Sequence, residues 1–344
     1  MEKPAAIVSC VTRPAPGRPP VCVPLVVAML AGGCAWDGPM STLTGRSDLA
    51  RSTLYVYGIV TWATVIIGSV VIALLAWILF RYRDRPGAPL PRQIAGHSLL
   101  EIGWTILPAL ILLVIAIPTM QVIFRTQAPP KPGALEIQVL GKQWWWEFRY
   151  PSLGLVTANE LHVPVGRTVA LRLEGPDVIH SFWVPQLGGK RDVVPGRVNR
   201  ITFTPDTPGD YPGQCAEYCG TSHANMAMRV IVDSPADFEK WVATQKATPG
   251  EPAGTAAEGK GVFTKSACVG CHTIKGVSAG ALGPDLTHFG SRQTLAAGMF
   301  PNTVENVTAW IRMPTVMKPG AKMPAVPMTE AEAKALATYL VSLK

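Results

Sequence analysis

The sequence has no dense basic run, no visible internal repeat and no disulfide framework, and each absence narrows what it can be. Lys and Arg number 31 against 23 Asp and Glu, a formal charge of +8, but the excess is thin. Residues 1–130 hold ten basic and five acidic residues, 131–250 twelve of each, and 251–344 nine and six. No segment supplies the stripe that binding a phosphate backbone needs, which argues against a nucleic-acid partner. The seven cysteines fall as Cys10, Cys22 and Cys34 near the N-terminus, then as the pairs Cys215/Cys219 and Cys268/Cys271. Neither pair reads as part of a disulfide scaffold. With no repeat, 344 residues read as two or three distinct domains.

Hydrophobic residues make up 48% of the chain and mean hydropathy is +0.23, high for a protein wholly in water. Residues 1–34 carry scattered basic residues, an apolar stretch over 21–30 and then Ala31-Gly32-Gly33-Cys34, which predicts a removable export leader. The small residues before Cys34 also resemble a lipoprotein cleavage box that would leave Cys34 lipidated; the alternative is an ordinary leader cysteine. Two apolar runs, 55–80 and 99–124, each exceed the ~20 residues that cross ~30 Å of hydrocarbon as a helix, and predict a membrane hairpin over 50–127. Between them Arg81, Arg83, Arg85 and Arg92 stand against Asp84 alone. Positive-inside bias therefore puts this link in the cytoplasm and both ends of the chain on the outer face. Pro108 and Pro118 cost backbone hydrogen bonds that neighbouring helices must make good, which points to a protein partner in the membrane. Glu101, near the cytoplasmic end, reads either as a contact to that partner or a proton-path mouth, or as an interfacial carboxylate reaching water.

After Pro129-Pro130-Lys131-Pro132-Gly133 the pattern changes to short alternating segments broken by Gly, Pro, Asn and Asp. Strands are expected at 135–140, 144–150, 160–164, 168–174, 197–204 and 226–232, a β-sandwich over 131–245. A linker rich in Pro, Gly and small residues, 246–254, should be flexible. Beyond it 255–344 turns helical, with helices expected at 255–266, 303–311 and 329–343. The last opens on a capping-box pattern, Thr329-Glu330-Ala331-Glu332.

Cys215-Ala216-Glu217-Tyr218-Cys219-Gly220-Thr221-Ser222-His223-Ala224-Asn225-Met226 packs two thiols, an imidazole and a thioether into twelve residues, and His180, following a strand upstream, can complete the set. Soft thiolate and thioether donors with imidazole select copper over oxygen-seeking cations. Zinc stays open chemically, but Met226, three residues past His223, is a poor zinc ligand. Cys268-Val269-Gly270-Cys271-His272 is a C-x-x-C-H run, in which two thiols form thioether bonds to haem and the histidine binds its iron. A thioredoxin-like pair wants a βαβ context and leaves His272 idle. A methionine as second axial ligand raises the haem potential, and Met313, Met317, Met323 and Met328 all qualify by spacing. His162, which has no motif, reads as structural.

These residues carry a family resemblance. Asp177-Val178-Ile179-His180-Ser181-Phe182 with the Cys215 to Met226 run resembles subunit II of cytochrome c oxidases. So do Gly141-Lys142-Gln143-Trp144-Trp145-Trp146 and Leu100-Glu101-Ile102-Gly103-Trp104-Thr105-Ile106-Leu107-Pro108. With its C-terminal C-x-x-C-H domain the chain resembles the caa-type form, subunit II fused to a class I cytochrome c, over nearly everything beyond the leader. The resemblance implies a multidomain membrane protein: a two-helix transmembrane hairpin, a cupredoxin-like β-sandwich and an all-α cytochrome c domain. It implies the dinuclear copper centre CuA, with Cys215 and Cys219 as bridging thiolates, His180 and His223 each capping one copper, and Met226 and the Glu217 carbonyl as weak axial ligands. It also implies a magnesium ion held against subunit I through the Glu217 side chain. Trp144 would be where electrons reach the copper, although Lys142 and Trp145 stand where the family often has His and Tyr. For the haem, Lys318-Pro319-Gly320-Ala321-Lys322-Met323-Pro324 resembles the family's ligand loop and favours Met323. Gly283-Pro284-Asp285-Leu286 resembles the segment whose proline carbonyl accepts a hydrogen bond from the proximal histidine, here His272. His288 falls in a segment that has no metal role in the family.

The implied function is that of the electron-transfer subunit of a proton-pumping haem-copper terminal oxidase in a bacterial inner membrane, with both redox domains on the outer face. Electrons would pass from an external donor, cytochrome c or quinol–cytochrome c reductase, to haem c, then CuA, then subunit I, where oxygen is reduced to water. Subunits I and III and membrane lipid are the implied partners. One rival is the electron-input subunit of a CuA-containing nitric oxide reductase, told apart by nitric oxide against oxygen consumption. Another is a membrane-tethered copper carrier, which gives no use for haem. A quinol oxidase subunit lacks the copper ligands that Cys215 and Cys219 would supply.

Overall fold

Two helices long enough to cross a bilayer come first: α1 (Asp48–Arg81, 34 residues) and α2 (Ser98–Gln127, 30 residues). The computed structural model describes residues 37–87, 89 and 93–344, so the leader with Cys34, and Arg92 of the arginine-rich link, lie outside it. Both helices outrun the apolar stretches that announce them. α1 starts early because Ser47 caps it, its Oγ accepting from the Ala50 amide at 3.0 Å, while Asp48 suits the positive end of the helix. Ala50 is the one buried residue of α1 and α2 has none. Leu, Ile, Val and Phe turned outward over the whole length of both helices suit lipid and not water, and the chain is a membrane protein.

The start of α1 is also sewn into the layer that follows. Ser47 Oγ donates to the Leu187 carbonyl at 2.6 Å, the Thr204 amide donates to Asp48 Oδ1 at 2.7 Å, and Arg51 pairs with Asp206. Three polar ties at one helix end fix the direction in which the hairpin leaves the next domain.

That domain is a sandwich of two five-stranded sheets. The first has the order β3-β2-β1-β5-β8, from β1 (Leu135–Lys142), β2 (Trp145–Tyr150), β3 (Leu155–Ala158), β5 (Val169–Glu174) and β8 (Asn199–Phe203). The second has the order β4-β10-β9-β6-β7, from β4 (Glu160–Pro164), β6 (His180–Trp183), β7 (Arg191–Val193), β9 (Gly209–Cys215) and β10 (Ala227–Asp233). Alternation sets the inner faces: Leu135, Ile137 and Val139 of β1 and Met228, Val230 and Val232 of β10 are buried at every second position, around Trp146, Phe148, Tyr150 and Leu171. His180 opens a strand of its own, β6, rather than following one. The sequence pattern also misses β3, β7 and β9, which are short, charged or broken by Gly209, Pro212 and Gly213. It misses the helix α3 (Pro235–Lys246) too, which Ser234 caps and which buries Phe238 and Val242.

The C-terminal domain packs α4 (Thr255–Lys265), α5 (Cys268–Cys271), α6 (Val304–Arg312), α7 (Pro314–Met317) and α8 (Glu330–Ser342) around Phe263, Phe289, Ile311 and Leu336. α8 carries the capping box in full, Thr329 and Glu332 each bonding the other's backbone. The segment between sandwich and helices is not free at its start, contrary to its composition. Lys275 Nζ donates to the Lys246 carbonyl at 2.7 Å, and the His288 ring meets the Ala247 carbonyl at 3.2 Å.

Candidate metal centres

The soft donors gather at one end of the second sheet. His180 opens β6, Cys215 closes β9, and Cys219, His223 and Met226 follow on the loop to β10, tightened by a single turn at His223–Asn225. β6 and β9 are bonded neighbours, which brings His180 to Cys215 although 35 residues separate them. The two Sγ atoms are 3.8 Å apart, too far for a disulfide of ~2.05 Å. His180 Nδ1 lies 4.0 Å from Cys215 Sγ and His223 Nδ1 3.6 Å from Cys219 Sγ. Met226 Sδ is 3.9 Å from Cys219 Sγ, and the Glu217 carbonyl is 3.2 Å from Cys215 Sγ. The donor atoms of His180, Cys215 and Cys219 all fall within 4.8 Å of one another, and all three residues are buried. This is a closed, water-poor pocket of sulfur and imidazole, the donor set that suits copper.

Its electrostatics favour a cation. The hydrogen bond between the two thiols outweighs burial and draws one proton off the pair, lowering the pKa of Cys215 and raising that of Cys219, so the pair favours a single shared proton. His180 Nε2 sits 2.9 Å from Asp177 Oδ1. Burial pushes the Asp177 carboxyl up, but the His180 ring and the amides of Gln143 and Val178 outweigh it and hold the group at about 2. A carboxylate on one ring nitrogen fixes the tautomer that leaves the Nδ1 lone pair toward the sulfurs. The Glu217 carboxylate lies at the rim, 3.9 Å from Lys190 Nζ, with side chains 43% and 56% exposed.

Trp144 covers the cluster. It is buried, its indole N–H donates to the Cys219 carbonyl at 3.0 Å, and Gln143 Nε2 donates to the same oxygen at 2.8 Å. Beside it Trp145 lies under the Lys142 ammonium, 4.7 Å from the ring centroid.

The second centre is a cavity of about 440 Å³ whose walls include Cys271, His272, Leu286 and Met323 of the helical domain and Trp144 and Trp145 of the sandwich. The His272 Nδ1–H donates to the Pro284 carbonyl at 2.8 Å, and burial lowers the ring's pKa, so it is a neutral imidazole with Nε2 free for a metal. At Gly283 an added Cβ would lie 2.5 Å from the His272 ring, so only glycine lets the chain pass here. Cys268 and Cys271 bound the one-turn helix α5 immediately before it. Of the four candidate methionines, Met323 is the one that lines the cavity among the described residues. Met313 is exposed and Met328 packs against the helical core. A neutral imidazole, a thioether, two thiols on one turn and mostly apolar walls fit a covalently held haem.

The two histidines read as structural are used structurally. The His162 ring stacks on Trp241 at 4.5 Å and meets Asp233 at 2.8 Å, and His288, buried outside the cavity, holds the linker. Two charged residues carry more than the sequence suggests. Asp177 orients His180, and a carboxylate three positions before a ligand-type histidine is a signal that was there to be used. Lys318 is buried with its ammonium on three carbonyls, of Trp144, Asn225 and Ala296, at 2.7, 2.8 and 2.9 Å. Nothing in Lys318-Pro319-Gly320-Ala321-Lys322 tells the buried lysine from the exposed one.

Comparison with known proteins gives three family matches along the chain. Residues 47–122 match cytochrome c oxidase subunit II, transmembrane domain; 153–234 match cytochrome c oxidase subunit II, periplasmic domain; and 256–344 match cytochrome c. Cytochrome c oxidase subunit 2 of Alkalihalophilus pseudofirmus is 41% identical over 323 residues, covering 91% of this chain and 93% of that protein. Its counterpart in Bacillus subtilis is 33% identical over 342 residues, covering 93% and 96%. Among solved structures, the periplasmic domain of subunit II of cytochrome oxidase of Bradyrhizobium japonicum is 35% identical and covers 34% of this chain and 96% of that one, with a TM-score of 0.33.

Proposed function

Because this chain belongs to the cytochrome c oxidase subunit II family and carries a cytochrome c domain at its C-terminus, we propose that it is the electron-input subunit of a proton-pumping haem-copper oxidase, with its redox domains on the outer face of a bacterial inner membrane. When bound, haem c and CuA supply one-electron exchange without bond chemistry, so that electrons run from cytochrome c or quinol–cytochrome c reductase through the helical domain and the sandwich to subunit I. Subunits I and III would be the membrane partners that Pro108 and Pro118, inside the continuous helix α2, call for.

Cys215, Cys219, His180 and His223 would hold the copper through their sulfur and imidazole donors, with Met226 and the Glu217 carbonyl, which lie beside the same sulfurs, as weaker donors. Asp177 keeps His180 in the ligating tautomer. Burial of the cluster keeps water out and lets the surroundings stay put when charge arrives, which lowers the cost of each transfer. In the helical domain Cys268 and Cys271 would anchor the haem and His272 and Met323 would supply its iron ligands, with the Pro284 carbonyl holding the His272 ring in place. The Glu217 carboxylate, at the rim beside Lys190, would exchange that lysine for a magnesium ion shared with ligands from subunit I.

A single side chain carries this reading: Trp144 is a wall of the haem-sized cavity and, through its indole N–H, is bonded to the carbonyl of Cys219. This one side chain touches both centres, and we assign it the passage of electrons to the copper. The test is metal analysis with electron paramagnetic resonance on the purified membrane complex. Two coppers sharing one unpaired electron and one covalent haem per chain are expected, together with oxygen uptake. Zinc alone, or no covalent haem, overturns the reading, and nitric oxide consumption without oxygen uptake moves it to a reductase.

A further inference from the structure

We propose that Lys318 is a positioning residue that latches the Met323 loop of the haem domain onto the copper domain at Trp144, holding the two redox centres in one pose. The proposal rests on the metal assignment above. Lys318 is 3% exposed, and its three ammonium protons meet three backbone carbonyls, of Trp144, Asn225 and Ala296. A buried ammonium without its hydrogen bonds is costly, and no other described acceptor meets this one. Two of the three acceptors belong to the copper domain: Trp144 covers the sulfur cluster, and Asn225 lies between His223 and Met226. Lys318 is therefore satisfied only while the domains are docked. A lysine serving its own domain alone would find its partners there.

The residues that follow it repeat the contact. The Pro319 carbonyl accepts from Ser222 Oγ at 2.5 Å. Gly320, at φ +79°, lies so close that an added Cβ would be 2.9 Å from the Trp144 ring, so the loop's backbone rests directly on the indole. A second buried charge works across the same seam in the opposite sense. Glu160 of β4, 3% exposed, accepts from the amides of Gln293 and Thr294 at 2.8 and 3.0 Å and from the Thr294 hydroxyl at 3.2 Å. A rotation of the haem domain on its linker would strand two buried polar groups, the Lys318 amine and the Glu160 carboxyl, at once, and that makes the pose specific. The step it serves moves one electron from haem iron to the copper pair, with no proton moved and no bond made or broken.

The test uses the intact complex with Lys318→Met and Lys318→Gln. One readout is hydrogen exchange at the amides of Ala227 and Thr294, which are bonded across the seam to Ala297 and Glu160. The other is the rate of electron transfer from haem to copper after a laser pulse. Stranding three carbonyls in Lys318→Met is expected to speed exchange at both amides and slow the transfer, each by about tenfold or more. Lys318→Gln, which keeps two N–H donors, should fall between. The amides of Leu171 and Leu336, inside the separate cores, should keep their protection, and the haem and copper absorption should not change. The proposal is overturned if both readouts in Lys318→Met stay within about twofold of the parent, or if the seam loosens without slowing the transfer. Should Lys318→Met lose core protection, Lys318→Gln decides by the same criteria. A complex that holds no copper or haem would sink the functional reading and leave the exchange data to judge the latch.

Discussion

Met226 and Cys219 touch the same sulfur cluster, yet removing them should have different results. A bridging thiolate shares charge with both metals, whereas a thioether in the axial direction only tunes them. Cys219→Ser is therefore expected to abolish the two-copper spectrum, and Met226→Leu to keep both coppers with an altered reduction potential; an unchanged spectrum in Cys219→Ser would remove the assignment. Asp177→Asn removes the charge that fixes His180, and the expected loss of copper affinity is ~10- to 100-fold by chelator competition. No loss would mean that packing alone holds the ring. The ligand-type residues are legible from the sequence because a metal demands particular side chains at particular spacings. Asp177 is marked only by its place three residues before His180, while Lys318 escapes because its role comes from burial and from segments far away in the chain, neither of which is written in a residue's identity.

Among the elements, helices with end signals read best. Apolar length marks α1 and α2, and Thr329-Glu330-Ala331-Glu332 marks the start of α8. Removing that cap by Thr329→Ala should lower haem-domain stability by ~1 kcal/mol, read from denaturant midpoints of the helical signal; no shift would mean that packing of α8 on α4 fixes the helix end by itself. Strand β9 shows the opposite case. It lies between β10 and β6 and carries Cys215, yet Gly209, Pro212 and Gly213 make it read as a loop. Neighbouring strands supply the order that its own residues do not, so the copper site rests on a strand only the tertiary structure reveals. α3 was hidden for a related reason: its Ser234-Pro235 start is a good helix signal, but few apolar residues follow it.

At the scale of the whole chain the structure adds what composition hides. Proline and glycine between sandwich and helices suggest a loose tether, but the contacts on either side of it, through Lys275, His288, Glu160 and Lys318, join the haem domain to the copper domain along one seam. The same logic holds at the other end, where Ser47, Asp48 and Arg51 tie the membrane hairpin to the sandwich. The Met323 loop closes over Trp144, so on the proposed path an electron would reach that side chain from within the chain, by way of the haem domain.

The most direct test of that arrangement is the transfer of an electron from haem to copper in the unaltered complex, started by a laser pulse and followed as solvent viscosity is raised. Domains held in one pose across Trp144 predict a single phase whose rate does not depend on viscosity. A rate that falls as viscosity rises, or an electron that never reaches the copper, would contradict the account.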